Sequence, residues 1–129
     1  MPEGNVEVVR RGFDAFNARH VDELLATSAA DSEWMPFRAQ LEGTPYRGHE
    51  GVRRFVRDMD EDWDEFRIEP VEFHEAGDLV VVIGRVKAVG GGSGVNIDSL
   101  AGFVLEVHGG LITRLTSHSD PEAALEAIR

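Results

Sequence analysis

The sequence predicts an α+β domain with helices in its front half and a curved antiparallel sheet behind them. Apolar residues recur at helical spacing as far as Trp63. From Phe66 the period changes to two and holds through four runs separated by Gly-containing turns. Strands bunched after helices, instead of alternating with them, argue against a βαβ parallel sheet. At 129 residues and 42% hydrophobic, the chain suits a single domain over 1–129 with one sizeable core.

The first helix is expected to start at Asn5 as N-cap, with Val6, Val9, Phe13 and Phe16 on one face and Asn17–His20 closing it. A second short helix turns Val21, Leu24 and Leu25 inward, with Asp22 and Glu23 in its first turn. Ser32–Phe37 reads as a short strand ended by Pro36, and 38–48 as a loop holding Gly43, Pro45 and Gly48. A third helix, from about His49 to Trp63, carries the stripe Val52, Phe55, Val56, Met59 and Trp63. Acids crowd its C-terminal end and run beyond it (Asp58, Asp60, Glu61, Asp62, Asp64, Glu65), where they oppose the helix dipole, so this end is expected to fray.

The meander follows: strands over 66–75, 79–89, 95–107 and 111–118, with turns at Ala76–Asp78, Gly90–Gly94 and His108–Gly110. Asp120 as N-cap, Pro121 at the first helical position and Glu122 next start a short last helix. A long twisted meander can curl around the helices and enclose a blind pocket between its concave face and theirs.

Composition removes several functions. With no cysteine, thiolate metal sites, disulfides and cysteine nucleophiles are absent. A net charge of −11 repels phosphate backbones and anionic lipid, so neither nucleic acid nor a membrane surface is an expected partner. Lys87 is the single lysine among 13 basic residues, which reads as codon bias and not as a site. The start, Met1-Pro2-Glu3-Gly4-Asn5, carries an acid with no apolar run behind it, unlike a signal peptide, and a cytoplasmic location is the default expectation. The five histidines show no H-x-x-x-H or H-x-H spacing, so no metal is expected. Gly90–Gly94 joins two strands without phosphate-loop spacing.

Four stretches resemble a known family. They are Val9–Asn17 on the first helix, Glu33-Trp34 on the short strand, Tyr46–Phe55 opening the third helix, and the closing series 91–95, 109–112 and 119–125. Together they resemble the SnoaL-like branch of the nuclear-transport-factor-two-like superfamily, with ketosteroid isomerases, limonene epoxide hydrolases and scytalone dehydratase among its members. The resemblance implies a conical barrel, three N-terminal helices packed on a curved antiparallel sheet with a short C-terminal helix, usually a homodimer through the outer sheet face. One fold carries many activities, so it does not fix the function. The Asp that serves as base before a Pro in steroid isomerases would fall at Met35 if Pro36 is that Pro, and the helix that offers their oxyanion Tyr has Phe13 and Phe16 here. SnoaL-like cyclases imply an Asp and a His near the sheet, for which Asp98 and His118 stand. Fold-related epoxide hydrolases imply an Asp-Arg-Asp set, for which Asp98, Arg85 and Asp120 supply the residue types.

His118, Asp98 and Arg85 are thus the candidate catalytic residues. His118, ending the last strand, is either a cofactor-free acid/base or a rim histidine. Asp98 is unusual in a strand: inward it is a base candidate, outward a solvated acid. Arg85 inward would hold an oxyanion or pair with Asp98, but its shared parity with Lys87 favours the outer face. Candidate walls for an apolar small-molecule substrate are Phe16, Trp34, Met35, Tyr46, Phe55, Trp63 and Phe103. The leading expectation is a cofactor-free isomerase, cyclase or hydrolase working by proton transfer. The alternatives are a non-catalytic binding module and a dimerisation module whose cone is packed shut by aromatics.

Overall fold

A computed structural model of the protein describes residues 4–92 and 94–129; the readings of Met1–Glu3 and of Ser93 in the glycine-rich turn lie outside the described residues. Helix α1 spans Asn5–Ala18 and buries Val8, Val9, Phe13 and Phe16. Its N-cap is Gly4, one residue before the expected Asn5, because the Val8 amide takes the Gly4 carbonyl; Asn5 Nδ2 instead donates to the Gly77 carbonyl. The helix closes at Arg19 in the left-handed region (φ 58°), a conformation costing a non-glycine residue about 1–2 kcal/mol. The Arg19 guanidinium offsets that cost by donating to the carbonyls of Phe16 and Phe66 and pairing with Asp60 at 2.9 Å.

Helix α2 (Val21–Ala26) leads into β1 (Ser28–Met35), which starts earlier than expected; the Ile112 amide bonds the Thr27 carbonyl (2.7 Å) and draws the chain into the sheet there. The expected loop 38–48 contains a short helix α3 (Phe37–Glu42), closed by Gly43 at φ 76°, and a two-residue strand β2 (Tyr46–Arg47). Among the described residues four helices therefore precede the meander, the last being α4 (Gly48–Asp62). Strands β3 (Trp63–Ala76), β4 (Leu79–Gly90), β5 (Asn96–His108) and β6 (Leu111–His118) follow. Helix α5 (Pro121–Leu125) begins at Asp120, whose side chain accepts from the Glu122 amide at 3.0 Å.

The strands make one curved sheet in the order β2-β1-β6-β5-β4-β3. Every pairing is antiparallel except β1 with β6, which the long connection between these two strands allows. Pro70 is accommodated because β3 is an edge strand, and register shifts next to it and at Glu106/Val107 mark bulges that bend the strands. Helices α1 and α4 pack on the concave face, where Val80, Val82, Val86, Phe103 and Leu105 join the main core. The convex face carries α5 over Val81 and Ile83, with Ala124 buried between them.

Candidate functional site

Alternation along the strands decides which side chains face the concave side. On β5, Phe103 meets the Phe13 ring edge-on at 5.7 Å, so Ala101, Ser99 and Ile97 share its inward face. Gly102 points the other way: a Cβ there would stand 2.3 Å from the Ala124 methyl on α5. On β4, Val82 and Val86 face in, and Arg85 and Lys87 face out.

Between helices and sheet the concave face leaves a cavity of about 530 Å³. Its walls include Phe55, Met59, Trp63, Phe66, Ile68, Val86, Ala101 and Phe103. It meets a second chamber of about 40 Å³ deeper in the cone, sharing Pro36, Phe55, Ile68, Phe103 and Ser117 with it. The deep chamber is walled by Val9, Phe13, Phe16, Trp34, Leu105 and Leu115, and among the described residues no titratable side chain lines it. Phe55 organises the walls, stacking on Phe16 (5.6 Å) and taking Trp34 and Tyr46 edge-on at 5.7 and 5.3 Å.

Charge gathers at the mouth. Arg38, Glu42 and Asp62 line the cavity there with Ser99 and Ser119. Arg38 bonds Asp62, stands 3.6 Å from Glu42, and brings Nε to 3.5 Å from Asp58 Oδ2 without hydrogen-bond geometry. The same Asp58 oxygen accepts the Tyr46 hydroxyl at 2.6 Å. Burial, then that hydrogen bond and the adjacent negative charge, push the Tyr46 phenol up to about 12. Helix α3 forms the rim and is tied down by Gln40, which donates to the carbonyls of Met35 and Ser117, both at 2.8 Å. Three apolar side chains stand open at this rim, Leu41 (89% exposed), Leu100 (42%) and Phe37 (36%).

The structure brings together Phe16, Trp34, Phe55, Trp63 and Phe103 among the residues expected as walls. Trp63 does so as the first residue of β3, because α4 stops at Asp62. Two expected wall residues stand elsewhere. Met35 alternates away from Trp34, pairing with Thr116, and lines neither chamber. Tyr46 is buried behind Phe55, with its hydroxyl spent on Asp58.

The proposed catalytic trio does not converge on the cavity. Arg85 and Asp98 face outward and pair with each other at 2.8 Å across β4 and β5, both well exposed. The Arg85 hydrogen bond holds the Asp98 carboxyl below its usual range. His118 is registered opposite Gly102, on the face that carries α5, and its neighbour Ser117 is the residue that points into the cone. The physical reason is parity: Asp98, Gly102 and His118 fall on the convex side of an alternating pattern whose concave members are Ser99, Phe103 and Ser117.

Residue reasoning missed Arg38, Glu42 and Asp62. The first two sit on a six-residue helix flanked by Pro36 and Gly43, too short for periodicity to reveal. Asp62 left a signal, as an acid placed against the dipole at the end of α4. Among the described residues, no group of three or more His, Asp or Glu side chains is arranged to hold a metal ion, and no helix is long and apolar enough to cross a membrane.

Helices packed on a curved sheet around an aromatic-lined cavity define an α+β cone. The sequence matches the SnoaL-like domain over residues 9–115, and the chain belongs to that family. No curated protein matches it. In structure it is similar to an NTF2-like protein of unknown function from Burkholderia pseudomallei, 26% identical, over 96% of each chain, with a TM-score of 0.79. It is also similar to TerC co-crystallised with polyporic acid, 25% identical, over 96% of this chain and 97% of that one, TM-score 0.79. A protein with a ketosteroid isomerase-like fold from Catenulispora acidiphila, in complex with trimethylamine, is 17% identical over 95% and 92% of the two chains, TM-score 0.78, and shares the fold alone.

Proposed function

We propose that the chain is a single pocket domain that binds a small, apolar, ring-bearing molecule inside the cone. The observation that carries this reading is the open cavity of about 530 Å³ walled by Phe55, Trp63, Phe66 and Phe103. That volume falls within the usual range of ligand sites, roughly 300–1,000 Å³, and apolar walls with a few polar groups at one end are their usual composition. The co-crystal of TerC with polyporic acid supports a small organic ligand in this fold. A cone packed shut, as a pure dimerisation module would have, does not fit a cavity of this size.

The test uses N-phenylnaphthylamine, a neutral probe that brightens in apolar surroundings. The wild type should bind it saturably. Ala101→Trp, which fills the cavity from the β5 wall, should weaken binding by at least about tenfold while the far-ultraviolet circular dichroism stays unchanged. Equal binding by the two proteins, or none by the wild type, contradicts the reading.

A second reading, proton-transfer catalysis of the isomerase, cyclase or hydrolase kind, is favoured by one observation: two carboxylates, Glu42 and Asp62, line the same cavity as its apolar walls. In that reading the acid/base roles fall to these two, with Arg38 beside them, rather than to His118, Asp98 and Arg85. Glu42→Gln or Asp62→Asn should then abolish turnover of a bound substrate and leave its affinity within a few fold. Full turnover in both variants would rule this reading out.

A further inference from the structure

The acids at the cone's mouth stand where the fold would not choose them. Asp58 and Asp62 lie in the last turns of α4, whose dipole presents its negative end there, and acids at that end are unfavourable. Helix α4 keeps its helical geometry as far as Asp62, with Arg38 reaching across from α3 to Asp58 and Asp62, and Arg19 from the end of α1 to Asp60. Residues that break a local rule and need such support concentrate at functional positions. Here they border the cavity.

The local charge is unbalanced. One guanidinium, Arg38, is shared among three carboxylates, Asp58, Asp62 and Glu42. Of these, Glu42 and Asp62 line the cavity, and they stay 58% and 40% exposed at the side chain, open to an incoming group. Among the described lining residues Arg38 is the sole cation; it is hydrogen-bonded to Asp62 and has Glu42 and Asp58 within 3.6 Å. Just inside stand Trp63 and Phe66, with ring centroids 6.1 Å apart, whose faces also attract cations.

We infer that the cavity selects ligands that carry a cationic group, a protonated amine or quaternary ammonium, on an apolar ring body, and disfavours carboxylates of the same shape. The ring body occupies the cone between Phe55 and Phe103, and the cation stays at the mouth between Glu42, Asp62 and the Trp63 ring. This rests on the pocket reading above and specifies the ligand class for the same site.

The experiment titrates the protein with three near-isosteric probes, naphthylmethylamine, naphthylmethanol and naphthoate, followed by tryptophan fluorescence, since Trp34 and Trp63 both line the cone. At low salt the amine should bind about three- to fivefold tighter than the alcohol, and the carboxylate about three- to fivefold weaker than it. Both gaps should narrow as salt screens the mouth. Glu42→Gln should narrow them with the Arg38–Asp62 tether intact, and the wild-type salt series makes the same test with no variant. Amine and alcohol binding equally, or naphthoate binding best, overturns the cationic preference and leaves the pocket reading standing. Binding by none of the three overturns both.

Discussion

On its concave side β5 presents Ser99, Ala101 and Phe103 to an open cavity; next to each of these, on the convex side, stand Asp98, Gly102 and Val104. The convex face is a ladder of exposed ion pairs, Arg85 with Asp98, Lys87 and Arg67 with Glu69, and Arg114 with Glu106, next to a small apolar patch closed by α5. The charged residues that line the concave cavity, Arg38, Glu42 and Asp62, come from α3 and α4. The same strands thus carry two chemistries, and a charged residue in a strand says little about function until its face is known. Exposed pairs of this kind contribute little to stability, whereas the concave side chains supply the core.

The largest effect expected from this comparison is on the concave side. Phe103→Ala removes a buried ring that packs on Phe13 and walls both chambers, and should cost about 3–5 kcal/mol in denaturant unfolding. A loss under about 1 kcal/mol would mean that this face is not the core.

Gly102→Val probes the opposite side of the adjacent residue. Its Cβ would collide with Ala124 and lift α5, lowering stability by roughly 1–3 kcal/mol while leaving affinity for a cavity ligand unchanged. Loss of ligand binding without loss of stability would show that the outer face takes part in the site.

Tyr46 sharpens the comparison at the rim. Its neutral form is favoured in the folded state, with a pKa of about 12 against 10.0 for the free side chain. The stability it contributes is complete below pH 10 and is lost as pH rises from there toward about 12. Tyr46 is the only tyrosine, so phenolate absorbance reports it alone, and Asp58→Asn should move the titration downward. An unshifted titration in the wild type would contradict the Tyr46–Asp58 bond.

The smallest effects belong to Arg85, Asp98 and His118, whose side chains stand on the convex face. Arg85→Ala, Asp98→Asn and His118→Ala should leave ligand affinity unchanged by isothermal titration, and coupling between Arg85 and Asp98 should fall within the error of a double-mutant cycle. A large loss of affinity in any one of them would reopen the outer face.

Much of the fold was legible. The stripe from Val52 to Met59, the period-two runs and the Asp120-Pro121 start are local patterns, and each became the element it implied. The parallel seating of β1 against β6 was not legible, because it joins residues most of the chain apart. Helix α3 escaped notice because six residues between a proline and a glycine show no period. The aromatic walls Phe16, Trp34, Phe55, Trp63 and Phe103 could be read from their size and spacing, and the charged residues at the cavity mouth could not. Arg85 and Lys87 sharing parity pointed outward, and Lys87 is registered opposite Asp98, so the clue that placed Asp98 on the same face lay in a pairing visible only in three dimensions.

The most direct test of the concave-face account is to map a bound apolar amine by backbone amide chemical shifts. The account predicts saturable shifts clustered at Phe55, Trp63, Ala101 and Phe103, with Arg85, Asp98 and the α5 residues unmoved. Shifts centred on Arg85, Asp98 and His118, with the cone residues silent, would contradict it.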